Sequence, residues 1–476
     1  MPRPPDAATL GELKAAVGEG FWLESPEEVA PFLSDFRRLF HGATPLVLLP
    51  ATVGEVADIL RICDRAEAAV VPHGGNTSYC GGATPDEAGG QIVVSLRRLN
   101  RIRQIDAANY SMIIEAGCTL AQAQAAAADA DRLFPLSLGS EGTAQIGGNL
   151  STNAGGTAVL RYGMMRDLVL GLEVVLADGR ILRGLKSLRK DNTGYDVKSL
   201  FVGAEGTLGV ITAASLKLYP RPADTATALT GIDSPQLALE LLASLRTAAG
   251  DQVTSFELMP RRAVELTVKY VPGVADPLGQ GTPWYLLVEL SSPNPRQELL
   301  ALLTSTLEDA ASRGIIRDAM FANSSAQANA MWKLRESVPE AQRRHGASLK
   351  HDVSVPVSAI PTLIEKGSVL VSRLVPEGEV ISYGHAGDGN LHFNVSQKSG
   401  ADVTSFNARA AQLEHAIFDL VEGLGGSISA EHGIGRLKAA EFARRADPVE
   451  LAVMRDLKRA LDPKGILNPG KVLCAP

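Results

Sequence analysis

Three of the eight histidines in this 476-residue sequence lie in two short segments near its C-terminal end. Between His385 and His392 stands Ala-Gly-Asp-Gly-Asn, a strong turn signal. His432 follows Glu431 in the glycine-flanked segment 429–435. A tight turn would bring the first two imidazoles to one side, and the Glu431 carboxylate would complete a set of three metal ligands. Such a set with one open position is typical of catalytic Zn²⁺, and it also suits Fe(II), Mn²⁺ and Co²⁺.

A simpler interpretation is that His385 and His392 only bond backbone groups around the turn. The neighbouring Glu431 and His432 favour a reactive site, because they add a third ligand and an imidazole that can take a proton near neutral pH. The histidines that match no motif, and for which no role is predicted, are His345, His351 and His415.

The helices and strands that could position these residues begin much earlier in the chain. The apolar runs 46–49 and 69–71 flank a helical pattern over 53–68, which predicts strand, helix and strand. The glycine-rich segment Pro72–Ser78 follows directly. Successive glycines let the backbone approach a ligand closely, and consecutive N–H groups form an anion-binding nest. A plain turn would have the same composition, so this segment alone is a weak signal.

Three further segments add weight to this signal: 138–156, which is rich in glycine, serine, threonine and asparagine, 189–196 and 200–212. Apolar insertions in the first of them predict a buried loop rather than a solvated one. In this order and spacing, the four segments resemble the FAD domain of the vanillyl-alcohol oxidase superfamily, or PCMH-type domain, over residues 42–221. No Gly-x-Gly-x-x-Gly fingerprint follows the first strand, which disfavours a Rossmann-type nicotinamide enzyme.

This resemblance implies a bound FAD with its pyrophosphate at 72–78, its flavin along 139–153 and its ribityl and adenosine portion along 205–211. Superfamily members that attach flavin covalently often have histidine just after the Gly-Gly pair. That position is Asn76 here, and His73 precedes the pair, so non-covalent FAD is predicted. The predicted FAD-binding residues are Pro72, His73, Gly74, Gly75, Asn76, Thr77, Ser78, Gly139, Ser140, Thr143, Gly147, Gly148, Asn153, Glu205, Gly206, Ile211 and Asn468.

The segments 384–392 and 430–433 are similar to motifs of flavin-dependent D-2-hydroxy-acid dehydrogenases, and 462–471 resembles their C-terminal signature. That group includes D-lactate dehydrogenases, glycolate oxidase subunits and D-2-hydroxyglutarate dehydrogenases. The segment 332–336, followed by Lys350, most resembles the last of these. The resemblance implies that the substrate is bound by Arg335, Lys350, Asn394 and His432. It also implies a hydroxyl four residues after the arginine, where this sequence has Pro339.

The implied reaction is FAD-dependent oxidation of D-2-hydroxyglutarate to 2-oxoglutarate. Hydride would leave C2 for flavin N5, a divalent metal held by His385, His392 and Glu431 would bind the substrate, and His432 would act as base. Zn²⁺ is the expected metal. Pro339 keeps open a D-lactate or glycolate dehydrogenase or oxidase, and a non-catalytic flavin-binding subunit is a more distant alternative. The family implies an electron-transfer flavoprotein or a quinone-linked carrier as electron acceptor, and a homodimer.

Composition limits the other classes of function. A net charge of −7 argues against a general nucleic-acid binder. No apolar run reaches the roughly 18 residues that a transmembrane helix needs. The first six residues lack the basic and then apolar pattern of a secretory signal, and the four cysteines are scattered. A cytoplasmic protein with reduced thiols is therefore predicted.

The predicted fold class is α+β. A helical N-terminal segment, 1–41, precedes a PCMH-type FAD-binding domain of two α+β subdomains at 42–221. An α+β substrate (cap) domain that also binds the metal covers 222–424, and a helical C-terminal segment, 425–476, packs back onto the flavin domain. The boundary near 221 rests on the Pro-Arg-Pro sequence, since proline cannot continue a strand ladder.

Overall fold

The computed structural model describes residues 2–279 and 281–474. The chain divides into two compact units. Unit 1 comprises the residues up to Gly156, Gly163–Arg221 and the segment from Glu431 onward. Unit 2 comprises Thr157–Tyr162 and Pro222–Ala430.

The secondary structure alternates throughout the chain. The strands are β1 (Trp22–Leu23), β2 (Val47–Leu48), β3 (Val70–His73), β4 (Ile92–Ser95), β5 (Ile102–Asp106), β6 (Ser111–Glu115), β7 (Arg132–Leu133), β8 (Val169–Val175), β9 (Ile181–Gly184), β10 (Val210–Lys217), β11 (Tyr219–Pro220), β12 (Asp224–Ile232), β13 (Val253–Pro260), β14 (Trp284–Ser292), β15 (Asp318–Phe321), β16 (Ser348–Leu349), β17 (Asp352–Ser354), β18 (Gly378–His385) and β19 (Asn390–Gln397).

The α-helices connect and cover these strands. They are α1 (Ala7–Val17), α2 (Pro26–Val29), α3 (Val53–Ala66), α4 (Leu120–Asp129), α5 (Ile146–Ser151), α6 (Val159–Tyr162), α7 (Met165–Leu168), α8 (Pro235–Ala249), α9 (Arg261–Tyr270), α10 (Leu299–Ser312), α11 (Ser325–Glu336), α12 (Val338–His345), α13 (Ile360–Leu374), α14 (Val403–Ala408), α15 (Ala410–Gly423), α16 (Ala439–Arg445) and α17 (Pro448–Leu461).

Unit 1 contains a sheet in the order β1-β2-β4-β3, in which β4 lies parallel to both of its neighbours. Helix α3 begins at Thr52, whose hydroxyl accepts a hydrogen bond from the backbone N–H of Glu55. Its apolar face packs on the buried strands in one core that includes Ile59, Leu60 and Val94. A separate antiparallel sheet has the order β5-β6-β10-β8-β9. Strand β3 ends at the glycine-rich segment, so the buried sheet fixes where that segment starts.

The C-terminal part of unit 1 pairs with β3 through backbone hydrogen bonds. Val70 donates its N–H to Ile466 O, and Asn468 donates to Val70 O, both at 2.8 Å. Before this pairing the chain turns after α17, and the turn is fixed by Asp462. Its buried carboxylate accepts hydrogen bonds from the amides of Ile466 and Leu467 and from Lys458 Nζ.

Unit 2 is built on an eight-stranded sheet in the order β15-β12-β14-β13-β18-β19-β16, with β17 also paired to β19. Alternate residues of β14 enter different cores: Leu286 and Val288 pack with α8, α10, α13 and α15, while Tyr285 and Leu287 pack with α9, α11 and α12. Successive strand side chains point to opposite faces, so this almost continuous apolar strand reflects a sheet covered on both faces.

Two local predictions need correction. The N-terminal segment is not helical up to residue 41, because α1 ends at Val17 and both Gly18 and Gly20 have φ near +80°. The segment 138–156 is not a loop throughout, because α5 occupies Ile146–Ser151. The two apolar side chains that suggested burial, Ile146 and Leu150, are both buried and lie on this short helix.

Replacing Asp462 with alanine is expected to lower the free energy of unfolding of unit 1 by about 3 kcal/mol, because the amides of Ile466 and Leu467 lose their acceptor and the half-buried Lys458 ammonium loses its only carboxylate partner among the described residues. The matched control is Asp456→Ala, which removes an exposed ion pair with Arg459 on the same helix. That change should cost less than about 1 kcal/mol. Urea unfolding measures both values, and equal losses in the two variants would contradict the anchoring role of Asp462.

Candidate active site

His385 and His392 lie on the two strands of one hairpin in unit 2. His385 ends β18 and His392 is the third residue of β19, opposite Tyr383. The ring centroids of the two histidines are 5.6 Å apart, and each ring offers a nitrogen within 4.8 Å of a nitrogen of the other. Gly389, with φ +92°, closes the turn where a Cβ would collide with the carbonyl oxygen of Val355. The predicted turn therefore brings the two imidazoles together.

Glu257, on β13, ties one of these histidines to a predicted substrate residue. Its carboxylate accepts a hydrogen bond from Arg335 Nε at 2.8 Å, and its other oxygen lies 2.6 Å from His385 Nδ1. All three residues are buried. Burial alone would raise the pKa of Glu257, but the charges of His385 and Arg335 outweigh burial and hold the pKa at about 2. Glu257 is thus an ionised carboxylate that orients both partners.

His392 also has a carboxylate beside its Nδ1 atom, that of Asp352 on β17, at 3.6 Å. The Asp352 carboxylate accepts a hydrogen bond from Asn390 Nδ2, and Asp388 accepts one from the Asn390 amide. Asp388 and Asn390 therefore shape the hairpin. A carboxylate at the second ring nitrogen is the usual arrangement around a metal-binding histidine, since it fixes the tautomer and the ring orientation. The chemistry of this pair fits a divalent transition metal.

The predicted substrate residues of unit 2 lie on different elements. Arg335 is in the last turn of α11, with its guanidinium carbon 4.9 Å from the centroid of the Tyr383 ring. Lys350 is half-buried in the link between β16 and β17. Asn394, on β19, donates from Nδ2 to Gln342 Oε1 at 2.9 Å. Its orientation is therefore set by a residue of α12.

Pro339 stands in the first turn of α12, directly after Val338 and the N-cap residue Ser337. Proline is well tolerated there, because the amides of the first turn have no partner within the helix and the fixed φ suits the first helical residues. The predicted hydroxyl position is therefore a helix start, where proline, serine and threonine are all compatible with the backbone.

In unit 1 the glycine-rich segment 72–78 packs against the turn that precedes α5. A Cβ at Gly75 would collide with the carbonyl oxygen of Thr143, and Gly74 faces Gly148. Several buried polar atoms of the predicted FAD segments have no hydrogen-bond partner among the described residues. They are both ring nitrogens of His73, Gln145 Oε1, Asn149 Nδ2 and Asn468 Oδ1. A cofactor with phosphates, hydroxyls and ring heteroatoms supplies partners for such groups, so these residues fit FAD.

The other predicted FAD residues are distributed over the same unit. Burial lowers the pKa of His73 to about 4, so this side chain is neutral at physiological pH. Asn76 has φ +53° and donates from Nδ2 to Ser34 O. The remaining residues lie before α5 (Gly139, Ser140), on α5 (Gly147), after α5 (Asn153), beside Pro72 (Gly206) and on β10 (Ile211).

Glu431 and His432 also belong to unit 1. Glu431 Oε1 accepts a hydrogen bond of 2.7 Å from the backbone N–H of Gly156, at the end of the segment 138–156. The His432 ring lies 4.5 Å, centroid to centroid, from that of Tyr79, the residue that follows the glycine-rich segment. The predicted ligand and the predicted base are therefore held against the predicted flavin segments.

Sequence reasoning missed the residues that support this site, above all Glu257, Asp352, Gln342 and Gly156. Glu257 lies in an apolar strand pattern, and an acidic residue at a buried strand position is the one signal that could have indicated it. Asp352 stands two residues after Lys350, and nothing in the sequence marks it as a partner of His392. Gly156 stood among many glycines, and nothing in the sequence separates it from them.

Glu257→Gln is expected to weaken binding of Zn²⁺ by the metal-free protein about 10–100-fold, because the amide cannot accept from both His385 and Arg335. Glu289→Gln is the matched control, since Glu289 is a half-buried carboxylate on the adjacent strand β14 that accepts hydrogen bonds from Thr227 and Trp332. Calorimetric titration compares the affinities. Wild-type affinity in Glu257→Gln, with the fold intact by circular dichroism, would refute the orienting role.

Two family models match this chain. A family model for the C-terminal domain of FAD linked oxidases matches residues 221–472, and an FAD binding domain matches residues 44–184. The mitochondrial D-2-hydroxyglutarate dehydrogenase of Bos taurus is 40% identical over 454 residues, covering 95% of this chain and 81% of that protein. The putative mitochondrial D-lactate dehydrogenase C713.03 of Schizosaccharomyces pombe is 36% identical over 458 residues, covering 94% and 85%.

The solved structure of p-cresol methylhydroxylase with substrate bound superimposes with a TM-score of 0.77 at 17% identity, covering 99% of this chain and 98% of that one. At this identity the likeness concerns the fold alone, and it confirms the predicted α+β fold of PCMH type. No helix among residues 2–279 and 281–474 has both the length and the apolar character needed to cross a membrane.

The comparisons also correct one prediction. The cytoplasmic location is wrong, since the relatives from Bos taurus and Schizosaccharomyces pombe are both named as mitochondrial. That prediction rested on composition and on the first residues of the sequence, and neither determines a compartment. The predicted family is confirmed: the chain belongs to the FAD linked oxidases, together with relatives named as D-2-hydroxyglutarate dehydrogenases.

Proposed function

We propose that this protein oxidises D-2-hydroxyglutarate to 2-oxoglutarate, with FAD as the primary acceptor. The broader activity, FAD-dependent oxidation of a D-2-hydroxy acid, follows from its family. One observation carries the narrower proposal: Arg335 and His385 share the carboxylate of Glu257. A guanidinium that can bind a carboxylate therefore lies beside an imidazole that can bind a metal. D-2-Hydroxyglutarate needs both groups, because its second carboxylate is remote from the hydroxyl that the metal would bind.

The substrate carboxylates would be bound by the two cationic residues of unit 2. Arg335 bonds Glu257 through Nε, which leaves the terminal nitrogens of its guanidinium for a bidentate contact with a carboxylate. Lys350 would act as a point charge. Asn394 donates one Nδ2 hydrogen to Gln342 and would donate the other to a substrate oxygen.

The proposed metal ligands are His385, His392 and Glu431. A divalent ion bound there, with Zn²⁺ as the first candidate, supplies a Lewis acid that lowers the pKa of the substrate hydroxyl. Support comes from the carboxylate beside each histidine Nδ1 and from the hydrogen bond that orients Glu431. The 2.6 Å contact with Glu257 leaves His385 the tautomer with Nε2 as the ligand atom.

His432 is the proposed base. Its imidazole would take the hydroxyl proton while the C2 hydrogen leaves as hydride, and bound FAD supplies the acceptor for that hydride at N5. The contact with Tyr79 holds the His432 ring beside the segment proposed to bind the cofactor.

His432→Asn is expected to slow flavin reduction by substrate roughly 10²–10⁴-fold with little change in FAD content, because only proton transfer is removed. His415→Asn, an exposed histidine on α15, serves as the control and should reduce flavin at the wild-type rate. Anaerobic stopped-flow absorbance measures both rates. A wild-type reduction rate in His432→Asn would eliminate His432 as the base.

A D-lactate dehydrogenase is the second candidate. Pro339 supports it, because the hydroxyl implied for binding the second carboxylate is absent at this position. The relative named as a putative D-lactate dehydrogenase, with 36% identity, adds to that support.

Pro339→Thr is expected to raise kcat/KM for D-2-hydroxyglutarate relative to D-lactate by about tenfold, the effect of one added hydrogen bond to a charged group. Thr is compatible with the first turn of α12. The control is Pro361→Thr, which changes a proline in the first turn of α13. An unchanged ratio in Pro339→Thr would show that this position does not face the second carboxylate.

FAD is proposed to bind without a covalent bond. The residue after the Gly-Gly pair is Asn76, whose side chain donates to Ser34 O and has no nucleophilic nitrogen. Acid precipitation should therefore release the yellow colour into the supernatant. Colour that stays in the protein pellet would mean covalent attachment.

The electron acceptor proposed for the reduced flavin is an electron-transfer flavoprotein or a quinone-linked carrier, and the proposed assembly is a homodimer. Both proposals rest on the family alone. An acceptor panel with purified carriers tests the first, and light scattering at known concentration tests the second.

A further inference from the structure

Glu205, in the segment 200–212, has a buried carboxylate whose partners are backbone amides of the segment that contains the proposed base. Its Oε1 accepts a hydrogen bond from Ile434 N at 2.7 Å, and its Oε2 accepts one from Gly435 N at 2.8 Å. The side chain is thus engaged with residues two and three positions after His432. All these residues belong to unit 1.

The backbone of Glu205 is fixed as firmly as its side chain. Its N–H donates to Ser151 O at the end of α5, and its carbonyl oxygen accepts from Asn468 Nδ2, each at 2.8 Å. Its φ is +51°, a left-handed conformation that non-glycine residues seldom adopt and that surrounding contacts must maintain. The backbone that carries the Glu205 carboxylate is therefore held in one conformation.

The segment that Glu205 holds is restrained from its other side as well. Arg436 donates its N–H to Cys80 O at 2.8 Å, and a Cβ at Gly435 would collide with the same oxygen. A Cβ at Gly433 would lie 2.7 Å from Glu205 Oε1. The glycines of this segment therefore allow Glu205 to approach closely. Contacts on both sides then fix the position of the segment.

A carboxylate is a costly choice for such a contact. Burial raises the pKa of Glu205 to about 7, although the amides of Ile434 and Gly435 and the charge of Lys438 act in the opposite direction. A neutral glutamine would avoid the cost of burying a charge, but its NH₂ group would face one of the two amide donors. Here the amides of Ile434 and Gly435 bond different oxygens, and a carboxylate supplies both of these acceptors whereas a carboxamide supplies one.

We infer that Glu205 is a positioning residue for the Glu431–His432 pair, acting through the amides of Ile434 and Gly435. It sets the position of His432 against Tyr79 and of Glu431 against Gly156. This inference rests on the proposed roles of His432 and Glu431. A displacement of about 1 Å in a reacting group can cost on the order of 10²-fold in rate.

The test compares Glu205→Gln with Glu19→Gln, which changes an exposed carboxylate of the same unit. The sequence predicts Glu205 as an FAD-binding residue, but the inference assigns both of its carboxylate oxygens to the amides of Ile434 and Gly435 instead. Glu205→Gln should therefore bind FAD with unchanged affinity. It should reduce flavin at least tenfold more slowly at saturating substrate, with the substrate dissociation constant little changed. The control should match the wild type in all three quantities. A large loss of FAD affinity with a normal reduction rate would make Glu205 a cofactor ligand and overturn the inference.

A double-variant cycle separates positioning from a general loss of structure. If Glu205 acts through His432, adding Glu205→Gln to His432→Asn should slow reduction less than twofold further. Fully additive losses would overturn the inference.

Hydrogen exchange provides a readout that is independent of activity. The amides of Ile434 and Gly435 should exchange at least tenfold faster in Glu205→Gln than in the wild type, while amides of β18 are unchanged. Unchanged exchange at both amides would overturn the inference even in an active enzyme. Failure of the wild-type flavin to be reduced by any D-2-hydroxy acid would instead refute the proposed function, and the exchange result would still decide whether Glu205 fixes the segment.

Discussion

The carboxylate of Glu257 is the interaction on which the chemistry of unit 2 depends. It lies on a strand buried on both faces, and it bonds the guanidinium of Arg335 and the imidazole of His385 at once. Without it the Arg335 guanidinium would be an unpaired buried charge, which costs several kcal/mol. The proposed acid-binding residue and the proposed metal ligand are therefore fixed relative to each other by a single group.

In unit 1 the proposed functional side chains are oriented mainly by hydrogen bonds to backbone groups, whereas in unit 2 they are oriented by other side chains. The glycines of 72–78 and 433–435 let loops approach each other more closely than any other residue would allow. The amide of Gly156 orients Glu431, and the carboxylate of Glu205 holds the segment after His432. Rigid loops of this kind present unpartnered polar atoms to a ligand without losing their shape, which suits a permanently bound cofactor.

The sequence predicted those parts of the site whose residue type is dictated locally. The glycine-rich segments were recognisable because close approach and positive φ require glycine, and the His385–His392 pair because the turn between the histidines has a strong composition signal. The supporting contacts were not predictable, because they join residues far apart in the chain. Glu257 is 128 residues from His385, and Gly156 is 275 residues from Glu431. Such pairs exist only after the sheet order is known.

The most direct test is anaerobic titration of the purified chain alone with D-2-hydroxyglutarate, D-lactate, D-malate and glycolate, followed by flavin absorbance. Full bleaching by D-2-hydroxyglutarate at the lowest concentration among the four acids is the predicted result. Preferential bleaching by D-lactate would move the substrate assignment to the second candidate. A flavin that none of the four acids reduces would contradict the account as a whole.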